Sequence, residues 1–242
     1  MIKINNIRRN KIELFKRKLL VWGKSNFANF PWREANKPFY SLIVEILLQR
    51  TRAEQVVPVY RQFKKIFSSP RSLSNARLKS IEKLIYPLGL KWRAGKLIKL
   101  GSEIDKKHRG TIPLSMDDLL SLSGVGPYAA GAFLSLHCGV RSIIPDANMA
   151  RILGRVFGFS VHAETRRDKN FLLLCDMVTP KRKFSQFNYA VLDHGRKVCL
   201  PKNPACISCP LDNICYYYKD KRKKNESVHR ISPRYSITNR GN

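Results

Sequence analysis

Acidic residues are scarce in this sequence. Seventeen Asp and Glu face 46 Lys and Arg over 242 residues, a formal charge of +29. Self-repulsion of that size opposes compaction, and a polyanionic partner, nucleic acid above all, accounts for it better than a merely solubilising surface. Long apolar runs are absent too: none approaches the roughly 18 residues that span a bilayer. The opening MIKINNIRRNK is basic but lacks the apolar stretch of a secretory signal. No long basic helix with an aromatic face suggests a membrane surface. A cytoplasmic, nucleoid-associated protein is expected, and there structural disulfides are not. Strand signals are nearly missing, with no sustained alternation and no Asn-Gly hairpin, and no internal repeat is visible.

What is present is helical. Hydrophobic residues make up 43% of the chain, enough for one sizeable core or two small domains sharing a cleft. Ile12, Leu14, Phe15, Leu19 and Leu20 interleave with basic residues as on an amphipathic helix. Pro31 and Pro38 interrupt the next stretch. Residues 40–67 read as a long apolar helix and a second one, with Pro58 near the junction. Helices are predicted around 76–86, 92–107, 115–122, 128–138, 147–158 and 168–178. The polar segment from 219 reads as a disordered, phosphate-seeking extension. The fold class is all-α.

Three local patterns carry chemistry. The first is CLPKNPACISCPLDNIC, in which Cys199, Cys206, Cys209 and Cys215 fall within a single loop. Four thiolates so close in sequence can close around one metal centre at little entropic cost. The spacing admits zinc or a [4Fe–4S] cube and does not separate them. Cys138 and Cys175 sit in apolar helical stretches and read as core residues. The second pattern is LSGVGPYAAGAF. A short helix ends near Leu122 and another begins at about Pro127, where proline costs nothing. Gly124, Val125 and Gly126 turn between them. Glycines let the backbone approach a partner, and the amides of the following helix face outward, as in a clamp on a DNA backbone. A plain helix-ending turn would need less.

The third pattern is a pair of carboxylates. Asp146 opens DANMARILGRVFG, where Met149, Ile152, Leu153, Val156 and Phe157 form a buried stripe, so the aspartate caps a helix. Helix amides keep such a carboxylate ionised, able to stabilise a cationic sugar. Glu45 lies within SLIVEILLQRT, with Ser41 and Gln49 one turn away on either side and no cation among them. A carboxyl in apolar surroundings resists ionisation, as a general acid should, unless an arginine from elsewhere pairs with it. One ionised and one protonatable carboxyl suit glycosidic cleavage through an oxocarbenium-like state.

Taken together, these residues resemble the helix-hairpin-helix DNA glycosylases of the endonuclease III superfamily, and within it the monofunctional mismatch branch. LSGVGPYAAGAF is similar to the family's hairpin, IPDANMARILGRV to its catalytic-aspartate segment, Cys199–Cys215 to its [4Fe–4S] loop, and FPWREANKPFYSLIVEILLQRT to the opening of the mismatch branch. The likeness spans roughly residues 27 to 218. It implies an iron–sulfur cluster rather than zinc, mainly structural, presenting Lys202 to phosphates. It implies a two-domain helix-hairpin-helix glycosylase fold: a six-helix domain (30–142) facing a cluster domain built from the N-terminal helix (1–29) and residues 143–218, with a basic tail (219–242). The partner would be double-stranded DNA with a mismatched or damaged base, bound by a monomer. The target base would flip out of the stack, Gln49 filling its place beside Arg50 and the hairpin. Asp146 would stabilise the sugar cation, Glu45 would protonate the departing base, and Tyr128, Trp32 and Asp193 would belong to the base pocket, unless Asp193 serves a helix ion pair. Where bifunctional relatives carry a lysine, this chain has Tyr128, and no lysine lies between His108 and Asp168. Base removal without strand cleavage is therefore expected.

Two branches share the pattern, one acting on thymine or uracil opposite guanine, the other on adenine opposite guanine or 8-oxoguanine. GLKWRA, DAN and Tyr128 favour the thymine/uracil branch, as does the lack of room for the further C-terminal domain usual in adenine enzymes. AAGAFLSL and FNYAVLDHG lean the other way. A DNA-binding module that kept the scaffold but lost catalysis is the alternative of another class, and intact Glu45 and Asp146 speak against it.

Overall fold

The computed structural model describes residues 7–34, 37–89 and 91–222. Among them are eleven α-helices and no strand: α1 (Arg9–Lys24), α2 (Pro38–Leu47), α3 (Ala53–Ile66), α4 (Pro70–Ser74), α5 (Leu78–Ile85), α6 (Arg93–Lys107), α7 (Met116–Ser121), α8 (Pro127–Ala132), α9 (Ala147–Phe157), α10 (Lys169–Val178) and α11 (Phe184–Lys197). A π-helical turn, Phe133–His137, extends α8, and residues 216–222 are helical. The extension expected from residue 219 thus begins as helix; positions 223–242 lie outside the described residues.

Two hydrophobic cores divide the chain. One gathers side chains from Phe30 to Leu134, with α2 at its centre. Nine of α2's ten residues are buried, as befits a helix apolar on every side. The other joins Ile12, Phe15 and Leu19 of α1 to the α9 stripe, α10, α11 and the cysteine loop. Between the cores, Asn188 of α11 donates to Ser135 Oγ in the π turn (2.7 Å) and to the Ser142 carbonyl (3.1 Å), all buried. A Cβ on Gly131 would overlap the Ile143 carbonyl. This close approach sets the segment that leads into Asp146 directly against α8.

Pro58 stands inside α3 rather than at a junction. It and Glu54, whose carbonyl loses the i+4 bond, are both exposed, so water can take up the acceptor. The break between α2 and α3 falls instead at Arg50, in left-handed backbone (φ 57°). Buried Arg93 closes the end of α2 by donating to the Leu47 carbonyl (3.0 Å). Helices α4 and α11 were not expected. The first is a single capped turn. The second starts without a side-chain cap, at Lys183 in left-handed backbone, so the usual start signal is missing.

Candidate active site

Glu45, at 2% exposure, projects from α2 into the junction of the cores. Its Oε2 accepts from the Tyr128 hydroxyl (3.2 Å), and its Oε1 lies 2.8 Å from His137 Nε2. The partner of Glu45 is therefore a histidine from the π turn, not an arginine. Tyr128 is half-buried on α8. Burial raises its pKa well above the phenol's usual value, and the charges of Glu45 and then Asp146 push it further, so it stays a hydrogen-bond donor. Tyr189 of α11 is displaced upward too, by burial first and by Glu45 second. Glu45, Tyr128, His137, Tyr189 and Asp146 thus form one electrostatic neighbourhood assembled from four helices and a π turn.

Asp146 caps α9. Its Oδ1 accepts from the Met149 amide (2.7 Å) and its Oδ2 from Asn148 Nδ2 (2.6 Å). Asn148 in turn accepts from Arg151 Nη2 (2.8 Å), whose other donors reach the Cys199 and Gly195 carbonyls. Each carboxylate oxygen is thus held by one donor. The expectation that helix amides dominate its ionisation needs correction. Burial is the larger effect and raises its pKa, while the Met149 and Asn148 hydrogen bonds pull it back down.

The hairpin is pinned on both flanks. Glu103 of α6 accepts from the Ser123 amide (2.7 Å) and hydroxyl (3.0 Å), and Gln49 donates to the Gly124 carbonyl (3.2 Å). Gln49 and exposed Arg50 therefore sit next to the hairpin. Gly124 needs its left-handed backbone (φ 83°). Gly126 does not: its backbone is extended, and a Cβ there would meet nothing within 4 Å. Val125 buries its side chain in the first core, so only backbone faces out at the tip. Gly126→Ala should therefore leave the melting temperature unchanged. It should weaken duplex binding on the order of tenfold, about 1.4 kcal/mol, measured by fluorescence anisotropy on duplex DNA. An unchanged affinity would remove this tip from the interface.

Cys199, Cys206, Cys209 and Cys215 line a single cavity together with Arg155 and His194. Arg155 lies 3.3 Å from Cys199 Sγ and also donates to the Leu200 and Pro201 carbonyls. His194 Nε2 is 3.3 Å from Cys209 Sγ. Burial, helped by the Arg151 charge, lowers the His194 pKa to about 4, keeping the ring neutral. No three His, Cys, Asp or Glu side chains among the described residues meet as ligands of one ion would. Zinc needs sulfurs about 2.3 Å from a common centre. A cube is wider and takes one sulfur at each corner, so four thiols around a shared cavity suit it better. Lys202 lies exposed on the rim of this loop.

Trp32 and Asp193 are placed otherwise than a base pocket requires. Trp32 is 3% exposed, stacked on Phe30 (4.8 Å) and edge-on to Tyr60 (5.7 Å). Asp193 accepts from both terminal nitrogens of Arg33 (2.7 and 3.0 Å) and from the Ala28 amide (3.0 Å), which is the ion-pair alternative. His137 and Arg151 gave no sign of themselves in the sequence, and Asn148 and Tyr189 figured there only within the DAN and FNYAVLDHG motifs.

With a capped aspartate, a buried glutamate and a backbone hairpin in place, comparison with known proteins becomes informative. The profile of the HhH-GPD superfamily base excision DNA repair proteins matches residues 43–174. The chain belongs to this superfamily. The stretch carries Glu45, the hairpin, His137 and Asp146. A thymine-DNA glycosylase of Aeropyrum pernix is 36% identical over 88% of this chain and 97% of its own length. An adenine DNA glycosylase of Buchnera aphidicola subsp. Schizaphis graminum is 32% identical over 87% of this HhH-GPD chain and 61% of its own. A solved structure of a thermostable thymine-DNA glycosylase superposes with a TM-score of 0.82 at 29% identity, covering 87% of this chain and 98% of that one. No helix among the described residues is long and apolar enough to cross a membrane.

Proposed function

We propose that this protein is a monofunctional DNA glycosylase that hydrolyses the N-glycosidic bond of a mismatched base, thymine or uracil opposite guanine, in base excision repair. The observation that carries the reading is the meeting of Glu45 and Asp146 around Tyr128, beside the hairpin. Glu45 gives a proton to the departing base, which takes the bonding electrons. Asp146, ionised, faces the positive charge that develops at C1′ and steers water to it. Tyr128, kept protonated, fixes the Glu45 carboxyl and offers no amine for a Schiff base. Lys96 packs against Gly124, but its amine lies over the Trp92 ring (4.7 Å). The target is duplex DNA, held by its phosphates, so binding falls steeply with salt. The protein acts as a monomer.

Thymine or uracil is preferred over adenine on the strength of the Aeropyrum relative and the superposed thymine enzyme. Incubating labelled G·T, G·U, G·A and 8-oxoguanine·A duplexes and then treating them with alkali should cut the first two. Cutting confined to the adenine duplexes would reassign the substrate, and no cutting at all would leave a binding module.

Cys199, Cys206, Cys209 and Cys215 would hold a [4Fe–4S] cluster, whose contribution is to close the loop rather than to take part in excision. Protein purified anaerobically should carry about four iron atoms per chain, and Cys209→Ala should lose them. Stoichiometric zinc, or no metal, would contradict this.

A further inference from the structure

Both oxygens of Glu45 are engaged, and the two engagements differ in kind. The protonated Tyr128 hydroxyl donates to Oε2. His137 can donate or accept at Nε2, 2.8 Å from Oε1, so the Glu45 proton can rest on either side of that bond. Glu45 is 2% exposed and the His137 side chain 6%.

The backbone is shaped for this contact. At about 100° per residue, a regular helix would turn His137 to the side opposite Tyr128. The wider π turn, Phe133–His137, absorbs an extra residue and brings the imidazole back to the face from which Tyr128 reaches Glu45. Single π turns inside helices recur at functional sites because of such re-aiming. Asn188 holds this one by its hydrogen bond to Ser135.

We propose that His137 is a positioning residue acting through Glu45: the two share one proton, which Glu45 delivers to the departing base. This rests on the glycosylase reading above. As the C1′–N bond breaks, its electron pair goes to the base, which takes the Glu45 proton. That leaves a Glu45 carboxylate beside a neutral imidazole, and one proton returns to the pair from solvent once the base has left. The groups facing the pair are Tyr128 from α8, Tyr189 from α11 and Asp146 at the start of α9. Arg33 stacks on Tyr189 (4.3 Å) but is committed to Asp193. Without the imidazole the proton has one site in place of two.

The test is single-turnover excision from a G·U duplex across pH, for wild type and His137→Gln. The glutamine amide can still reach Oε1 but cannot carry the proton. Its deficit should be small at acid pH and grow to about tenfold or more at the alkaline end. In a Glu45→Gln background, His137→Gln should add nothing. A deficit equal at every pH, or a full additive loss in the double variant, would make His137 a packing partner only. Should the variant not fold, NMR of the wild-type protein decides: the His137 ring nitrogens and the Glu45 carboxyl carbon must titrate together, and independent titrations overturn the proposal. A wild type that excises no base at any pH would instead overturn the glycosylase reading.

Discussion

Asp146→Asn should abolish base excision while leaving the fold and duplex binding in place. In the proposed mechanism the carboxylate faces a cation that exists only in the transition state, and preorganised charge at such a place commonly contributes on the order of 10³-fold in rate. Asparagine is a good helix cap, so the Met149 amide keeps its partner. Two smaller effects oppose each other. Burial disfavours the native charge, as the raised pKa of Asp146 records, so removing it relieves the fold. Against that, the new amide nitrogen faces Asn148 Nδ2, a donor against a donor, where Oδ2 had accepted at 2.6 Å. The melting temperature should therefore stay close to that of wild type. Asp146→Ser, also a favoured cap, separates the two effects: it removes the charge without the donor clash and should be equally inactive. Single-turnover excision, anisotropy on undamaged duplex and thermal denaturation together check the prediction. Excision within tenfold of wild type in either variant would take the sugar-stabilising role away from Asp146.

Glu45→Gln should have the next largest effect, a loss of about 10²- to 10⁴-fold, the range typical of a general acid. Glutamine preserves shape here. Its oxygen can accept from Tyr128 and its amide can face His137, so the second residue of this buried trio remains seated. What disappears is the transferable proton. The penalty should therefore depend on the base. A uracil bearing an electron-withdrawing 5-fluoro substituent leaves more readily as an anion, so it should be released by Glu45→Gln with a much smaller deficit than uracil itself. The ratio of the two deficits separates acid catalysis from damage to the pocket, since damage would slow both substrates alike.

The parts legible in the sequence are those in which a local pattern determines the geometry. The α9 stripe and its Asp146 cap, the turn at Gly124 with Pro127 at the first position of α8, and the one-loop cysteine set all have short-range causes, and all are found where the pattern puts them. The oddity of Glu45 was legible as well, but its partner was not. His137 reaches Glu45 only because the helix widens into a π turn, and nothing in AFLSLHCG announces one. Asp193 was ambiguous for a related reason: Arg196 is a local i,i+3 partner at 3.5 Å, but the shorter, two-pronged contact comes from Arg33, 160 residues away. Pro58 misled because a proline suggests a helix end, whereas its exposed position lets water replace the missing bond. Helix α11 was missed for want of a cap, yet it supplies Asn188 and Asp193, which tie it to Ser135 and Arg33 of the first core's segment, and Tyr189 beside Glu45.

The hydrogen-bonded line from Asp146 through Asn148 and Arg151 to the Cys199 carbonyl gives the cysteine loop a mechanical bearing on the candidate site. The same loop exposes Lys202, so in the proposed reading one element would serve both phosphate contact and the support of the aspartate's surroundings. The strong positive charge fits this division of labour, since affinity comes from the backbone of any duplex and selectivity from the pocket that receives the base.

The most direct measurement is to follow free base and strand integrity together, in one reaction with a G·U duplex under borohydride. Two carboxylates working without a lysine should release uracil, leave the strand whole until alkali is added, and form no covalent protein–DNA adduct. Strand cleavage before alkali with a trapped adduct, or no uracil released, would contradict the account.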